Sequence, residues 1–219
     1  MCLKKNYVHN LRYCLEVIHR ILCYEKQFQV RLNSFRWIKI WSVLFRLIKF
    51  VTDPERLQKK EVVLLCEKIT TIFNLFITYG DTFLPDGSDY DFLYYEIIRV
   101  NRLLDQFYSL VEKQLPNSLL FLQFENIKTI TTHFQNRINK WAKKNPEKAL
   151  TPVEVTRVIK SNYESLKLTL LDNLDTFTPH TENPNEVSFF RHLIGKILIF
   201  DFKSTINVGV VSDSVLKEN

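Results

Sequence analysis

Glycine is almost missing from this chain: there are 4 in 219 residues, beside 7 prolines. Tight hairpin turns need residues that tolerate positive φ, so few such turns are available. A β-sandwich or a doubly wound α/β fold is therefore disfavoured. What remains is helix joined by short polar loops. With 46% hydrophobic residues and 17 phenylalanines the chain is too apolar for intrinsic disorder. Its length allows one large domain or two small ones, with a substantial core.

The apolar pattern recurs at three and four residues nearly throughout. From Asn6 to Glu25 it places Tyr7, Leu11, Cys14, Leu15, Ile18, Ile21 and Leu22 on one expected inward face. A second helix is expected from about Ser34 to Val51, stopped by Asp53-Pro54. A third runs from about Leu57 to Ile77, followed by a loop from Tyr79 to Ser88 holding Gly80, Pro85 and Gly87. A fourth covers Asp89 to Gln114. Ser118 caps a fifth that reaches Trp141 or Lys144. Thr151, Pro152 and Glu154 form the clearest start signal, a capping box with proline in the first turn, for a sixth helix reaching Phe177. A seventh is expected from Glu186 to Phe200. The fold class is thus all-α: an armadillo/HEAT-like α-solenoid, or an irregular antiparallel helical bundle, of about seven helices. Residues 1–204 are expected to form a single helical domain, and 205–219 a poorly ordered tail. The early start of the first helix fits a solenoid whose preceding repeats are missing, which an exposed apolar face there would mark.

Chemistry-bearing motifs are scarce. The histidines His9, His19, His133, His180 and His192 form no HExxH pair. His19 and Cys23 share a helix face, but two ligands do not make a metal site. Cys2, Cys14, Cys23 and Cys66 have no CxxC spacing and fit a reducing compartment. The four glycines are too far apart for a phosphate-binding loop. Asp81, Asp86, Asp89 and Asp91 lack the order of an EF-hand. No enzyme, metal or cofactor is expected. The N-terminus carries charge and histidine throughout, so no signal peptide is visible. No stretch reaches about 18 uncharged apolar residues, so no transmembrane helix is expected.

Charge is uneven. The net charge is +6, yet residues 1–60 hold 13 Lys/Arg against 4 Asp/Glu. On the second helix Arg36, Lys39, Arg46 and Lys49 fall within an arc of about 140° at about 100° per residue. Trp37, Trp41, Leu44, Phe45 and Ile48 lie opposite. The helix is either an ordinary packed helix with a solvated face, or one that offers a basic stripe to anionic lipid or an acidic partner. The aromatics follow core spacing rather than interleaving with cations, so nucleic acid is not expected. In the 79–88 loop, Tyr79, Asp81, Phe83 and Asp86 are candidate contact residues.

Four stretches carry a resemblance: Ile72–Pro85 (IFNLFITYGDTFLP), Tyr90–Arg99 (YDFLYYEIIR), Tyr13–Tyr24 (YCLEVIHRILCY) and Ser161–Leu168 (SNYESLKL). From about Tyr7 to Phe190 the chain resembles the C-terminal domain of the armadillo-like helical domain-containing protein 3 family. The resemblance implies a non-enzymatic helical-repeat adaptor, cytosolic and peripheral at Golgi membranes, that serves Golgi maintenance and secretion. It implies work with an Arf guanine-nucleotide exchange factor and with phosphatidylinositol 4-kinase beta. It brings no catalytic or binding residues. That family's protein is several times longer, and beyond about Leu193 the match ends. The alternative is peripheral binding to anionic membrane through the second helix.

Overall fold

A computed structural model describes residues 5–177, 187–189, 191–196 and 199. The chain divides into two compact units, Met1–Thr176 and Phe177–Asn219. The first contains α1 (Lys5–Phe28), α2 (Trp37–Val51), α3 (Pro54–Leu57), α4 (Lys60–Phe83), α5 (Gly87–Arg99), α6 (Asn101–Gln114), α7 (Leu119–Lys144) and α8 (Pro152–Lys160). A 3-10 turn follows at Tyr163–Ser165. The described residues contain no strand. In the second unit residues 187–189, 191–196 and 199 are helical, inside the stretch expected as the last helix. The expected tail at 205–219 lies outside the described residues.

The centre of the first unit is α4, which packs against α1, α2, α3, α5 and α7. By length and composition it is the one described helix able to cross a membrane, although the sequence reading expected none. Its apolar residues face protein, however: Leu65, Ile69, Ile72, Leu75 and Phe76 are all fully buried. An apolar helix enclosed on several sides is a core helix. Against it α2 lays Trp37, Trp41 and Phe45. Trp37 and Trp41 meet Phe76 edge-on at 5.6 and 5.9 Å, and Phe45 meets Phe73 at 4.8 Å. A buried polar ladder fixes α4 against α7. Thr70 donates to Gln123 Oε1 (2.7 Å), Gln123 Nε2 donates to Thr71 Oγ1 (2.9 Å), and Asn74 Nδ2 donates to the Gln123 carbonyl (2.8 Å). Sliding either helix would strand these groups, so the ladder sets register.

Three helix boundaries differ from expectation. The loop expected from Tyr79 to Ser88 shrinks to 84–86, because α4 continues to Phe83. Gly80 serves close packing there, not a turn: a Cβ would stand 3.1 Å from the Tyr90 ring of α5. The expected fourth helix breaks at Val100, whose φ of −102° and ψ of 17° leave the α basin. The break lets α5 pack on α8 while α6 follows α7, where Asn101 Nδ2 donates to Gln135 Oε1 at 2.7 Å. The expected sixth helix ends at Lys160 instead of Phe177. Ser161 Oγ and Asn162 Nδ2 donate to the carbonyls of Arg157 and Val158, competing with the helix backbone at its last turn. At its start Thr151 caps the Glu154 N–H, but the Glu154 carboxylate pairs with Arg157 at 2.7 Å, an exchange partner for the second half of the box.

Beyond that turn, residues 166–176 form a strap across the unit. Asn126 of α7 holds Thr169 from both sides: its Oδ1 accepts from the Thr169 N–H (2.9 Å) and its Nδ2 donates to the Thr169 carbonyl (2.8 Å). The strap then reaches α1, where His19 Nε2 meets the Leu174 carbonyl at 2.6 Å and Lys26 pairs with Asp175. Asn126→Ala removes both Thr169 bonds and is expected to cost about 1.5 kcal/mol. Hydrogen exchange checks it: amides of 166–175 should lose protection while those of α4 keep theirs.

Candidate interaction surfaces

At about 100° per residue, Tyr7, Cys14, Val17, Ile21, Tyr24 and Phe28 of α1 lie within an arc of about 100°. All six are exposed: Val17 by 57%, Ile21 by 49% and Phe28 by 58%. Their spacing from Cys14 onward is three, four, three, four, the seam spacing of packed helices. The expected inward face was therefore rotated. The side that meets α4 carries Val8, Leu15, His19, Leu22 and Cys23, with Leu11 and Ile18 half-buried. Tyr7, Cys14 and Ile21, expected inside, are outside. The helix is apolar over two adjoining arcs, and a pattern count finds their sum without showing which one packs. A contiguous exposed stripe of this kind marks an interaction surface more often than scattered apolar residues do.

The charged groups of α1 are largely engaged within the unit. Glu16 is held by Lys68 at 2.7 Å and by Arg20 at 3.4 Å. Glu25, the other acid of the helix, is buried. Arg20 borders the stripe and is engaged with Glu16, while Arg12 lies on the far side of the helix from it.

On α2 the cations Arg36, Lys39, Arg46 and Lys49 are all exposed. Arg36 is the residue before the helix and not part of it. Trp37, Trp41, Leu44, Phe45 and Ile48 are buried opposite. At the 79–86 corner the four candidate residues separate. Phe83 is fully buried against Trp37 and Phe76, so it is a core residue and not a contact residue. Asp86 caps α5, accepting from the N–H groups of Ser88 (2.7 Å) and Asp89 (3.2 Å). These bonds and the one from the Ser88 hydroxyl hold its carboxyl below the usual range. Tyr79 is half-buried with Lys26 over its ring at 4.4 Å. Asp81 is exposed, and its backbone carbonyl, with that of Leu84, accepts from the Arg31 guanidinium. Arg31 closes the end of α4 from the preceding loop, a role that no sequence signal announced. This corner is therefore chiefly a joint.

Chemistry remains sparse. Among the described residues no three His, Cys, Asp or Glu are placed to hold a metal ion. His19 lies 3.6 Å from Cys23, but both are buried and His19 is engaged by the strap. Burial lowers the His19 pKa and pushes the Cys23 thiol up to about 11, the opposite of an activated nucleophile.

These features describe an all-helical domain with a polar-clamped core and an apolar seam on the outer side of its first helix. The family described as "Armadillo-like helical domain-containing protein 3, C-terminal" matches residues 2–204, and the chain belongs to it. It is 37% identical over 215 residues to armadillo-like helical domain-containing protein 3 of Danio rerio, covering 94% of this chain and 31% of that one. Against the Homo sapiens protein of that name it is 39% identical over 194 residues, covering 84% and 28%. The chain thus spans under a third of the length of these relatives. No solved structure matches it.

Proposed function

We propose that this chain is a non-enzymatic adaptor that binds a partner protein through the outer face of α1. The observation that carries the reading is the exposed stripe Tyr7–Cys14–Val17–Ile21–Tyr24–Phe28. Its heptad spacing fits an amphipathic helix, which can bury apolar residues between these side chains. The occupant is therefore an amphipathic helix on a second protein. By resemblance that protein is a Golgi trafficking factor, the Arf exchange factor or phosphatidylinositol 4-kinase beta, met at the cytosolic face of the Golgi.

The test uses the purified chain with each of these two proteins, purified separately. Wild type should bind one of them, and Ile21→Asp with Tyr24→Asp should weaken binding at least about 100-fold, the effect expected of central seam residues. Both positions are exposed, so thermal unfolding should barely move. Binding to neither protein, or binding untouched by the substitutions, overturns the reading. So does a concentration-dependent dimer of the chain alone that the same substitutions dissolve, since the stripe's occupant would then be a second copy. A second reading, contact with anionic membrane through Arg36, Lys39, Arg46 and Lys49, is supported by their common exposure; its signature is vesicle binding that weakens with salt.

A further inference from the structure

The end of α2 and the α5–α6 break enclose a cleft of about 700 Å³. It is lined by Lys49 and Thr52 from α2, by Arg99, Val100, Asn101, Arg102 and Leu103 at the break, and by Gln106. Three cations converge on a concavity, where a solvated surface would spread them. Arg99 is tied to Glu96, donating from Nε at 3.0 Å and from the terminal nitrogen at 2.6 Å. Lys49 and Arg102 form no ion pair among the described residues, and both are exposed. No carboxylate lines the cleft. Thr52 spends its hydroxyl on the Ile48 carbonyl and Asn101 its amide on Gln135, so the free donors are Lys49, Arg102 and the Gln106 amide.

The break at Val100 creates this arrangement. A continuous helix from 89 to 114 would carry Arg99 and Arg102 along one straight wall. With α6 turned toward α2, Arg102 faces the end of α2 that holds Lys49. A guanidinium and an ammonium group from different helices, together with a side-chain amide, suit a compact anion with several charged oxygens. The Glu96 carboxylate keeps Arg99 in place and leaves the other two cations for the ligand.

We propose that this cleft binds a phosphorylated small anion through Lys49, Arg102 and Gln106, with Arg99 as the fixed wall. The ligand chemistry is clustered phosphate, carried either by a soluble polyphosphate or by a phosphorylated lipid headgroup. The site lies apart from the α1 stripe and does not depend on it.

Two arms test it. In the first, inositol hexakisphosphate is titrated calorimetrically into the intact chain. In the second, the chain is sedimented with vesicles bearing a phosphorylated inositol lipid, and with phosphatidylserine vesicles as the charge control. Saturable binding is expected, weakened at least about tenfold by Lys49→Glu with Arg102→Glu and little changed by Arg36→Glu with Lys39→Glu, which lie at the opposite end of α2, outside the cleft. Loss in both arms assigns a headgroup that a membrane can present. Loss in the soluble arm alone assigns a free polyphosphate. Unsaturable binding, no binding in either arm, or equal loss from the two double variants overturns the proposal, because only diffuse charge would remain.

Discussion

Glu25→Gln is expected to raise stability at pH 8 by about 2 kcal/mol and to leave it little changed at pH 5. Glu25 is 2% exposed, and neither carboxylate oxygen has a hydrogen-bond partner. Burial without a partner penalises the ionised form and pushes its pKa up to about 7. In the unfolded chain the group titrates near 4.5. Between these values the folded state keeps a proton that the unfolded state has lost. Stability is therefore greatest below about 4.5, falls as pH rises toward 7, and levels off above it. One pKa unit corresponds to about 1.4 kcal/mol, so the full span is about 3.5 kcal/mol, and incomplete desolvation brings it nearer 2. His19 acts in the opposite direction. Its lowered pKa means that the unfolded chain takes up a proton first as pH falls below about 6.5, which removes stability. The glutamine variant keeps the His19 slope and loses the Glu25 slope. Urea unfolding at a series of pH values separates the two. Parallel profiles for wild type and variant would show that Glu25 finds solvent or a partner.

Trp41→Ala is expected to be the most damaging single change, at about 3–5 kcal/mol. Trp41 is fully buried and stands edge-on to Phe76 at 5.9 Å. Phe76 also touches Trp37 and Phe83, so the indole closes an aromatic cluster joining α2 to the last turns of α4. Removing it leaves a cavity that rigid rings cannot fill. Trp41→Phe should cost much less, about 1–2 kcal/mol, because a ring remains and the unpaired indole N–H is lost with the substitution. Thermal or urea unfolding of both variants gives the comparison. Equal costs would mean that the cluster collapses around either side chain.

The helices were legible where local chemistry decides them. Ser118 caps α7, accepting from the Phe121 N–H at 3.1 Å. Thr151 and Pro152 start α8 where their side chain and ring require it. The buried side of α2 follows directly from Trp37, Trp41, Phe45 and Ile48. The misplaced features depend on distant partners. Gly80 looks like a turn residue and instead makes room for Tyr90. Residues 166–176 contain neither proline nor glycine, yet they leave the helix because Asn126, His19 and Lys26 hold them elsewhere. Phe83 was read as a loop contact because the loop was drawn too long. The α1 stripe was hidden in plain periodicity: the helix is apolar on two adjoining arcs, and only α4 decides which one is covered.

Cys14 permits the most direct test of the docking face, because it lies in the stripe and is exposed, whereas Cys23 and Cys66 are buried with thiol pKa values raised by burial. With Cys2 replaced by serine, maleimide labelling reports on Cys14 alone. Its labelling rate is measured for the free chain and for the complex with whichever Golgi trafficking factor binds. If the outer face of α1 receives the partner helix, labelling of Cys14 in the saturated complex should slow at least about tenfold. An unchanged rate while the complex persists would contradict docking on α1.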